Sequence, residues 1–501
     1  MKNENTKKVI KYIFELILLL VVLISLYIKY TFKSVPFEQI VYSLMTSKGT
    51  SFSSISKGLL FVVISGVIAI SIYLVILKIS QKFKGKVFVN ITIKDKKSQL
   101  DAIDYIGKII FTLYIIFSIL LPVKILKIDE FIKYQNQYSK IYDELYIDPR
   151  NVNITFPEKK KNLIYIYVES LESTSASKAN GGALEESIIP NLESIALNNL
   201  NFSNRKNLGG GYEVSGATYT AGALIAQTSG VPLKVSVDVN TDLSYDNSIK
   251  GLYTLGDILL DNGYKNYFMI GSDAAFGCRD DYFSYHGKYE IYDYEYAKKN
   301  KLIRKNYKVW WGYEDKKLFA FAKDKLLEIS KSDEPFNFTM LTADTHFPDG
   351  YLDSSCDKKF KDNYSNSFSC MDSMIYEFIN WIKEQDFYKD TVIIITGDHF
   401  TMQETFFDSI DSGYNRSVYN AFINTDKVPV NSKNRVFTTL DMFPTTLSAL
   451  GISIENDRLG LGTDLFSSSE TLAEELGYDA FNNELMKKSA FYEKYFINNA
   501  Y

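Results

Sequence analysis

Cysteine and histidine are scarce, three of each in 501 residues. So few cysteines exclude a disulfide-stapled scaffold. Cys356 and Cys370 lie 14 residues apart in a polar stretch; they either form one bridge in an oxidising compartment or stay as two thiols. A basic excess is also missing. The formal net charge is −4, which argues against nucleic acid as a partner, because a phosphate-binding surface needs a positive stripe. Internal repeats and low-complexity tracts are absent as well. The chain is too long for one ordinary domain, so at least two structural units are expected.

Long apolar runs are abundant, and all of them fall in the first quarter. Tyr12 to Ile28 reads YIFELILLLVVLISLYI with Glu15 as its only charge, Leu59 to Leu77 carries none, and Ile109 to Val123 is flanked by Lys108 and Lys124. A bilayer core needs roughly 20 apolar residues per crossing, so transmembrane helices are expected at 9–30, 59–79 and 107–127. The first run is too long for a signal peptide and no small-residue cleavage site follows it. Lysines number four in 1–11, three in 30–58 and eight in 78–108. The positive-inside rule then puts the N-terminus and the 78–108 loop in the cytoplasm and everything after about residue 128 outside. PFEQIVYSLM, 36–45, is too short to span and is expected in the outer interface. The layout is a transmembrane domain over 1–127, a connector over 128–160, a catalytic domain over 161–470 and a C-terminal tail over 471–501.

Residues 160–466 alternate short apolar runs with helix-like stretches, the pattern of an α/β domain. The runs LIYIYV (163–168), NYFMI (266–270), FNFTML (336–341) and TVIIIT (391–396) each end in polar residues. Glu169 follows the first, Gly271, Ser272 and Asp273 the second, Asp344 and His346 the third, and Gly397, Asp398 and His399 the fourth. Ligands in open α/β sheets sit beyond the carboxyl ends of the strands, so four strand ends face one rim. Two of the three histidines lie there, each near an aspartate, and imidazole with carboxylate suits Zn²⁺ or Mn²⁺. An acid such as Glu169 closing an apolar run costs free energy unless something pairs with it.

Five stretches in register resemble a known family: VES (168–170), the threonine-bearing small-residue segment GATYTAGALIAQTSGVPL (216–233), ADTHFP (343–348), GDH (397–399), and LDMFPTTLSALG with DRLGLGTDLF (440–466). Together they are similar to the sulfatase (alkaline phosphatase) superfamily, in its branch of membrane-anchored phosphoglycerol transferases and lipoteichoic acid synthases. The resemblance implies an α/β fold with a central mixed β-sheet flanked by helices. It implies a metal held by Glu169, Thr220, Asp398 and His399, with Thr220 as nucleophile and Thr218 as the alternative. His346 takes the position that binds the phosphoryl group or protonates a leaving group. FGCRDDYFSYHGKYEIYD (276–293) resembles a phosphate-binding loop, which brings in Arg279 and, less directly, His286. Cys356 and Cys370 fall where related transferases carry cysteines, which fits an extracytoplasmic bridge. The loop lacks the tryptophan of lipoteichoic acid synthases, and no histidine precedes Arg279 where those enzymes carry one, which points away from lipoteichoic acid polymerisation. Nothing at 216–233 supplies the C/S-x-P-x-R context of a sulfatase proper.

The implied cofactor is one divalent metal ion, Mn²⁺ first, with Mg²⁺ or Zn²⁺ as alternatives. The implied reaction moves glycerol phosphate from phosphatidylglycerol to an extracytoplasmic glycan or polysaccharide through a glycerophospho-threonine. Phosphoethanolamine transfer and a phosphodiesterase or other hydrolase are alternatives on the same fold; a non-catalytic, membrane-anchored glycan-binding protein is an alternative of another class. The implied location is the bacterial cytoplasmic membrane, crossed several times, with the catalytic domain outside.

Overall fold

The computed structural model describes residues 2–33, 35–46, 52–93, 96–235 and 249–500. They divide into two units, Met1–Ile40 with Thr50–Lys133, and Val41–Gly49 with Tyr134–Tyr501.

Three helices dominate the first unit, Lys2–Phe32, Phe52–Phe83 and Ala102–Ile125. Within them Ile10–Phe32, Gly58–Phe83 and Ala102–Ile125 are long and apolar enough to cross a membrane, at 23, 26 and 24 residues. At a rise of about 1.5 Å per residue each exceeds the roughly 30 Å hydrocarbon core. Their apolar sides are open, with Ile68 at 55% and Leu113 at 58% exposure, a pattern that suits lipid rather than protein as the neighbour. The third begins five residues before the expected 107, because Asp101 caps it by accepting from the backbone N–H groups of Ile103 and Asp104. Two antiparallel strands, Phe88–Ile93 and Lys96–Asp101, occupy part of the expected 78–108 loop.

The second unit is built on a seven-stranded sheet. In chain order its strands are β1 (Asn162–Val168), β2 (Gly210–Gly211), β3 (Lys265–Ile270), β4 (Glu290–Tyr292), β5 (Phe336–Leu341), β6 (Thr391–Gly397) and β7 (Val418–Ile423). Their spatial order is β2-β7-β6-β1-β5-β3-β4. β7 runs antiparallel to β6 and β2, and the other pairings are parallel. β1 lies at the centre, and its residues Leu163 to Val168 have no exposed surface. Successive side chains point to opposite faces: Tyr165 and Tyr167 enter one core, Ile164, Ile166 and Val168 the other. Burying each aliphatic side chain contributes about 1.5–3 kcal/mol. A strand covered on both faces reads as an unbroken apolar run, which is why the four expected strands match the observed ones to within a residue.

Residues 471–501 are not a tail, and 128–160 is more than a connector. The helices Leu472–Leu476 and Tyr478–Met486 and the π-helical turn Tyr492–Ile497 fold back onto the domain. Phe481, Leu485, Tyr492 and Phe496 are all buried. Tyr142, on the short helix Ile141–Leu145, lies edge-on to Tyr492 and Phe496 with ring centroids 5.4 and 5.8 Å away. The two ends of the unit thus share one aromatic layer. Cys356 and Cys370 are joined in a disulfide, Cα to Cα 5.6 Å.

Candidate active site

β1 and β6 are parallel neighbours with Val168 opposite Gly397. The residues that follow, Glu169 and the Asp398–His399 pair, therefore leave the sheet side by side. Ser170 adopts a left-handed backbone, φ 59°, which turns its N–H onto Asp398 Oδ1 at 2.8 Å. The backbone N–H of His399 reaches the same oxygen at 2.8 Å, and the Ser170 hydroxyl donates to Glu169 Oε1 at 2.8 Å. Asp398 Oδ2 is buried and has no hydrogen-bond partner among the described residues. An unsatisfied buried acceptor costs about 1–3 kcal/mol, more when charged.

The His399 ring completes the arrangement. Its Nδ1–H donates to the Phe400 carbonyl at 2.7 Å, a tautomer inferred from that contact. Nε2 then faces Asp398 Oδ2 at 3.3 Å and Glu169 Oε1 at 3.6 Å. Burial disfavours the imidazolium, but the Asp398 and Glu169 carboxylates more than offset this and push His399 up to about 9. Burial and the Glu169 charge also push Asp398 above the usual carboxylate range. The two carboxylates and the imidazole thus converge on one point. The ligand atoms of Glu169, Asp398 and His399 lie within 4.8 Å of one another, and all three residues are buried. An imidazole oriented by a backbone carbonyl, with carboxylates beside it, fits a divalent cation.

Thr220 stands at this cluster. It is the first residue of the helix Thr220–Ser229, which Gly230 ends in a left-handed conformation. Its Oγ1 lies 3.3 Å from Glu169 Oε2 and 3.4 Å from His399 Nε2. The positive end of the helix dipole favours negative charge here. Gln227, two turns on, ties the helix to the end of β6 by donating to the carbonyls of Gly397 and Asp398 at 3.0 and 3.2 Å. Thr228 and Ser229 bond back to the helix backbone, and Thr228 also meets the Tyr282 hydroxyl. No hydrogen bond described for Thr218 joins it to the cluster. The small residues next to Thr220 serve packing rather than ligand access. A Cβ on Gly222 would lie 2.2 Å from the Gly216 carbonyl oxygen, and a Cβ on Gly277 would lie 3.4 Å from that of Ala221.

Arg279 opens the helix Arg279–Tyr285 and is buried. Its Nη2 donates to Ser272 Oγ at 3.2 Å and to the Asp273 carbonyl at 2.8 Å, while Nε has no partner among the described residues. Burial pulls its pKa down, against the neighbouring Tyr42 and Glu169 groups. His346 is half-buried, its Nδ1 2.5 Å from the Phe347 carbonyl, and burial pushes it down to about 4. The ring is therefore neutral at pH 7 with Nε2 as an acceptor. The segment before it is fixed by two aspartates that cap each other's backbone. Asp315 accepts from the N–H groups of Ala343 and Asp344 at 2.8 and 2.9 Å, and Asp344 accepts from that of Asp315 at 3.0 Å.

His286 is not on the rim. Asn266, next to the start of β3, donates to the carbonyl of Gly287 at 2.7 Å, which places His286 at the opposite end of the strands. It is buried there, with Nδ1 2.9 Å from Asp257 Oδ2. The helix Arg279–Tyr285 spans the distance, since seven residues advance about 10 Å. Trp311, by contrast, goes unnoticed in the sequence. Its ring stacks on Phe276 at 5.6 Å and meets His346 at 4.7 Å. Backbone pairing of Gly312 with Ser272 brings it to the rim, and Gly271 permits this, since a Cβ there would sit 2.4 Å from the Tyr313 carbonyl oxygen. The one signal for Trp311 was the doublet Trp310-Trp311 in a chain with three tryptophans.

A mixed sheet flanked by helices, whose rim gathers a hydroxyl, two carboxylates and an imidazole, makes this an α/β architecture with a candidate active site. A family model described as Sulfatase matches residues 161–452, more than half of the chain, and the chain belongs to the sulfatase family. Phosphoglycerol transferase I of Escherichia coli is 32% identical over 319 residues, 62% of this chain and 40% of the relative. The protein of the same description from Shigella boydii gives the same figures, 32%, 62% and 40%. The chain thus spans about 40% of the length of these relatives. Among solved structures, the lipoteichoic acid synthase LtaP from Listeria monocytogenes aligns over 65% of this chain and 81% of its own, with 21% identity and a TM-score of 0.47. The integral membrane lipooligosaccharide phosphoethanolamine transferase A from Neisseria meningitidis aligns over 87% and 83%, with 14% identity and a TM-score of 0.49.

Proposed function

We propose that the chain is a membrane-anchored phosphoglycerol transferase, which moves glycerol phosphate from phosphatidylglycerol to an extracytoplasmic glycan. The observation that carries this reading is the Thr220 hydroxyl, 3.3 Å from Glu169 and 3.4 Å from His399 at a helix start. Likeness to phosphoglycerol transferase I supports the choice of group. Glu169, Asp398, His399 and Thr220 are the residues that would hold a divalent cation, Mn²⁺ first. When bound, it lowers the pKa of a coordinated hydroxyl and offsets phosphoryl charge.

In the first half-reaction Thr220 Oγ attacks phosphorus and its bond to the diacylglycerol oxygen breaks. Thr220 loses one proton and diacylglycerol gains one. His346 is the carrier we assign, since a neutral ring can accept at Nε2 and return the proton. Arg279, whose Nε has no hydrogen-bond partner among the described residues, donates to the phosphoryl oxygens, a role suited to its planar fork. In the second half-reaction the glycan hydroxyl attacks the same phosphorus, the bond to Thr220 Oγ breaks, and the acceptor's proton returns to Thr220. The three apolar helices would anchor the chain in the bilayer that holds the donor. Lysine placement supports several crossings of a bacterial cytoplasmic membrane with the second unit outside.

The test is lipid analysis of the full chain in vesicles with Mn²⁺. Phosphatidylglycerol is expected to yield diacylglycerol, phosphatidylethanolamine none, and Thr220→Ala none from either. Diacylglycerol from phosphatidylethanolamine alone would replace this reading with phosphoethanolamine transfer.

A further inference from the structure

Tyr42, from the segment between the first two apolar runs, reaches the rim. It belongs to the helix Phe37–Met45, and Val41–Gly49 groups with the second unit. Only 3% of its surface is exposed. Its hydroxyl donates a buried 2.7 Å hydrogen bond to the carbonyl of Gly277, 235 residues away. Its ring lies against that of Tyr219, centroids 5.1 Å apart, and Tyr219 immediately precedes Thr220.

Gly277 and Cys278 both have left-handed backbone, φ 67° and 52°, and Arg279 follows at once. The second of these is a conformation an L residue keeps only when its surroundings impose it. A Cβ on Gly277 would find Ala221 Cβ at 3.4 Å and the Tyr42 hydroxyl oxygen at 3.8 Å. The turn before Arg279 is therefore lodged between Tyr42 and the first turn of the Thr220 helix. Arg279 is anchored through Nη2, so where its Nε points depends on how that turn is held.

We infer that Tyr42 is a positioning residue of the site: by gripping the Gly277 carbonyl and the Tyr219 ring, it sets the Arg279 guanidinium against Thr220 to receive an anionic phosphoryl group. The inference rests on the proposed function only for the role of Arg279 as a phosphate ligand. It also makes the site dependent on the segment that links two apolar helices, which the expected interfacial placement of 36–45 did not foresee.

The test is calorimetric titration of inorganic phosphate into the full chain in detergent with saturating Mn²⁺, for wild type, Tyr42→Phe, Arg279→Gln and the double variant. Tyr42→Phe keeps the ring and removes only the hydroxyl. It is expected to weaken phosphate binding about five- to tenfold, the range of one buried hydrogen bond. On the Arg279→Gln background the same change is expected to cost nothing further, because the two groups act as one. Wild-type affinity in Tyr42→Phe, a full repeat of its loss on the Arg279→Gln background, or no phosphate binding by wild type would each overturn the inference. If the expected binding pattern appears in a chain that leaves phosphatidylglycerol intact, glycerophosphate transfer falls and the role of Tyr42 stands.

Discussion

Two buried histidines, each beside an aspartate, sit at opposite ends of one sheet. Near the start of β3, His286 Nδ1 meets Asp257 Oδ2 at 2.9 Å. The same carboxylate accepts from the Thr254 and Gly287 N–H groups at 2.9 and 2.8 Å and from the Thr254 hydroxyl at 3.0 Å. Both of its oxygens are engaged, in a capping box that starts the helix Leu255–Asp261. At the other end, Asp398 uses Oδ1 on two backbone N–H groups, while Oδ2 makes no hydrogen bond among the described residues and faces His399 Nε2 at 3.3 Å, beside Glu169 and a hydroxyl. Burial and an Asp–His contact are common to both places. The difference lies in acceptors the fold has left unsatisfied, and those mark the site.

The contrast can be broken most sharply at the nucleophile. Thr220→Ala is expected to lower transfer by about 10⁴-fold or more with an unchanged melting temperature, while Thr218→Ala stays close to wild type; turnover assays with thermal melts check both. Next come the two aspartates. Asp398→Asn is expected to abolish the rise in melting temperature that Mn²⁺ gives the chelator-treated protein. Asp257→Asn is expected to keep that rise in full while losing about 1–3 kcal/mol of stability, measured by denaturant titration. The histidines follow. His346→Gln is expected to reduce kcat about 10²-fold or more, whereas His286→Asn leaves kcat per folded molecule unchanged.

The smallest effect is one of pH. His346 has its folded pKa lowered from 6.5 to about 4, so the unfolded chain takes up a proton there first. Its contribution to stability is present above 6.5 and is lost as pH falls towards 4. His346→Gln is expected to flatten this acid-side slope, and melting temperatures between pH 7 and 4 test it. An equally steep slope in the variant would assign the loss to other groups.

The sheet was legible because β1, β3, β5 and β6 are covered on both faces and so appear as apolar runs with polar ends. β7, VYNAFI, shares that character but is not followed by chemistry that would set it apart. Glu169, Asp398 and His399 stood out because an acid or imidazole after such a run has few structural uses. Thr220 and Arg279 needed the family resemblance, as nothing in their own spacing singles them out, whereas His346 stands out after its apolar run and takes only its role from the resemblance. His286 was misplaced because nearness to Arg279 in sequence hides a helix that carries it to the other end of the strands. Tyr42 and Trp311 reach the rim only through folding of distant segments, a distance no local pattern encodes. Residues 471–501 look tail-like for a related reason: Phe481, Leu485, Tyr492 and Phe496 find their partners at Tyr142 and in the core.

The most direct measurement is mass spectrometry of the full chain after brief incubation with phosphatidylglycerol and Mn²⁺, followed by proteolysis. A glycerophosphate adduct on Thr220, within the peptide covering 206–234 and absent from Thr220→Ala, is the expected result. Diacylglycerol release with the adduct on Thr218, or with no adduct on this peptide under conditions that trap the intermediate, would contradict it.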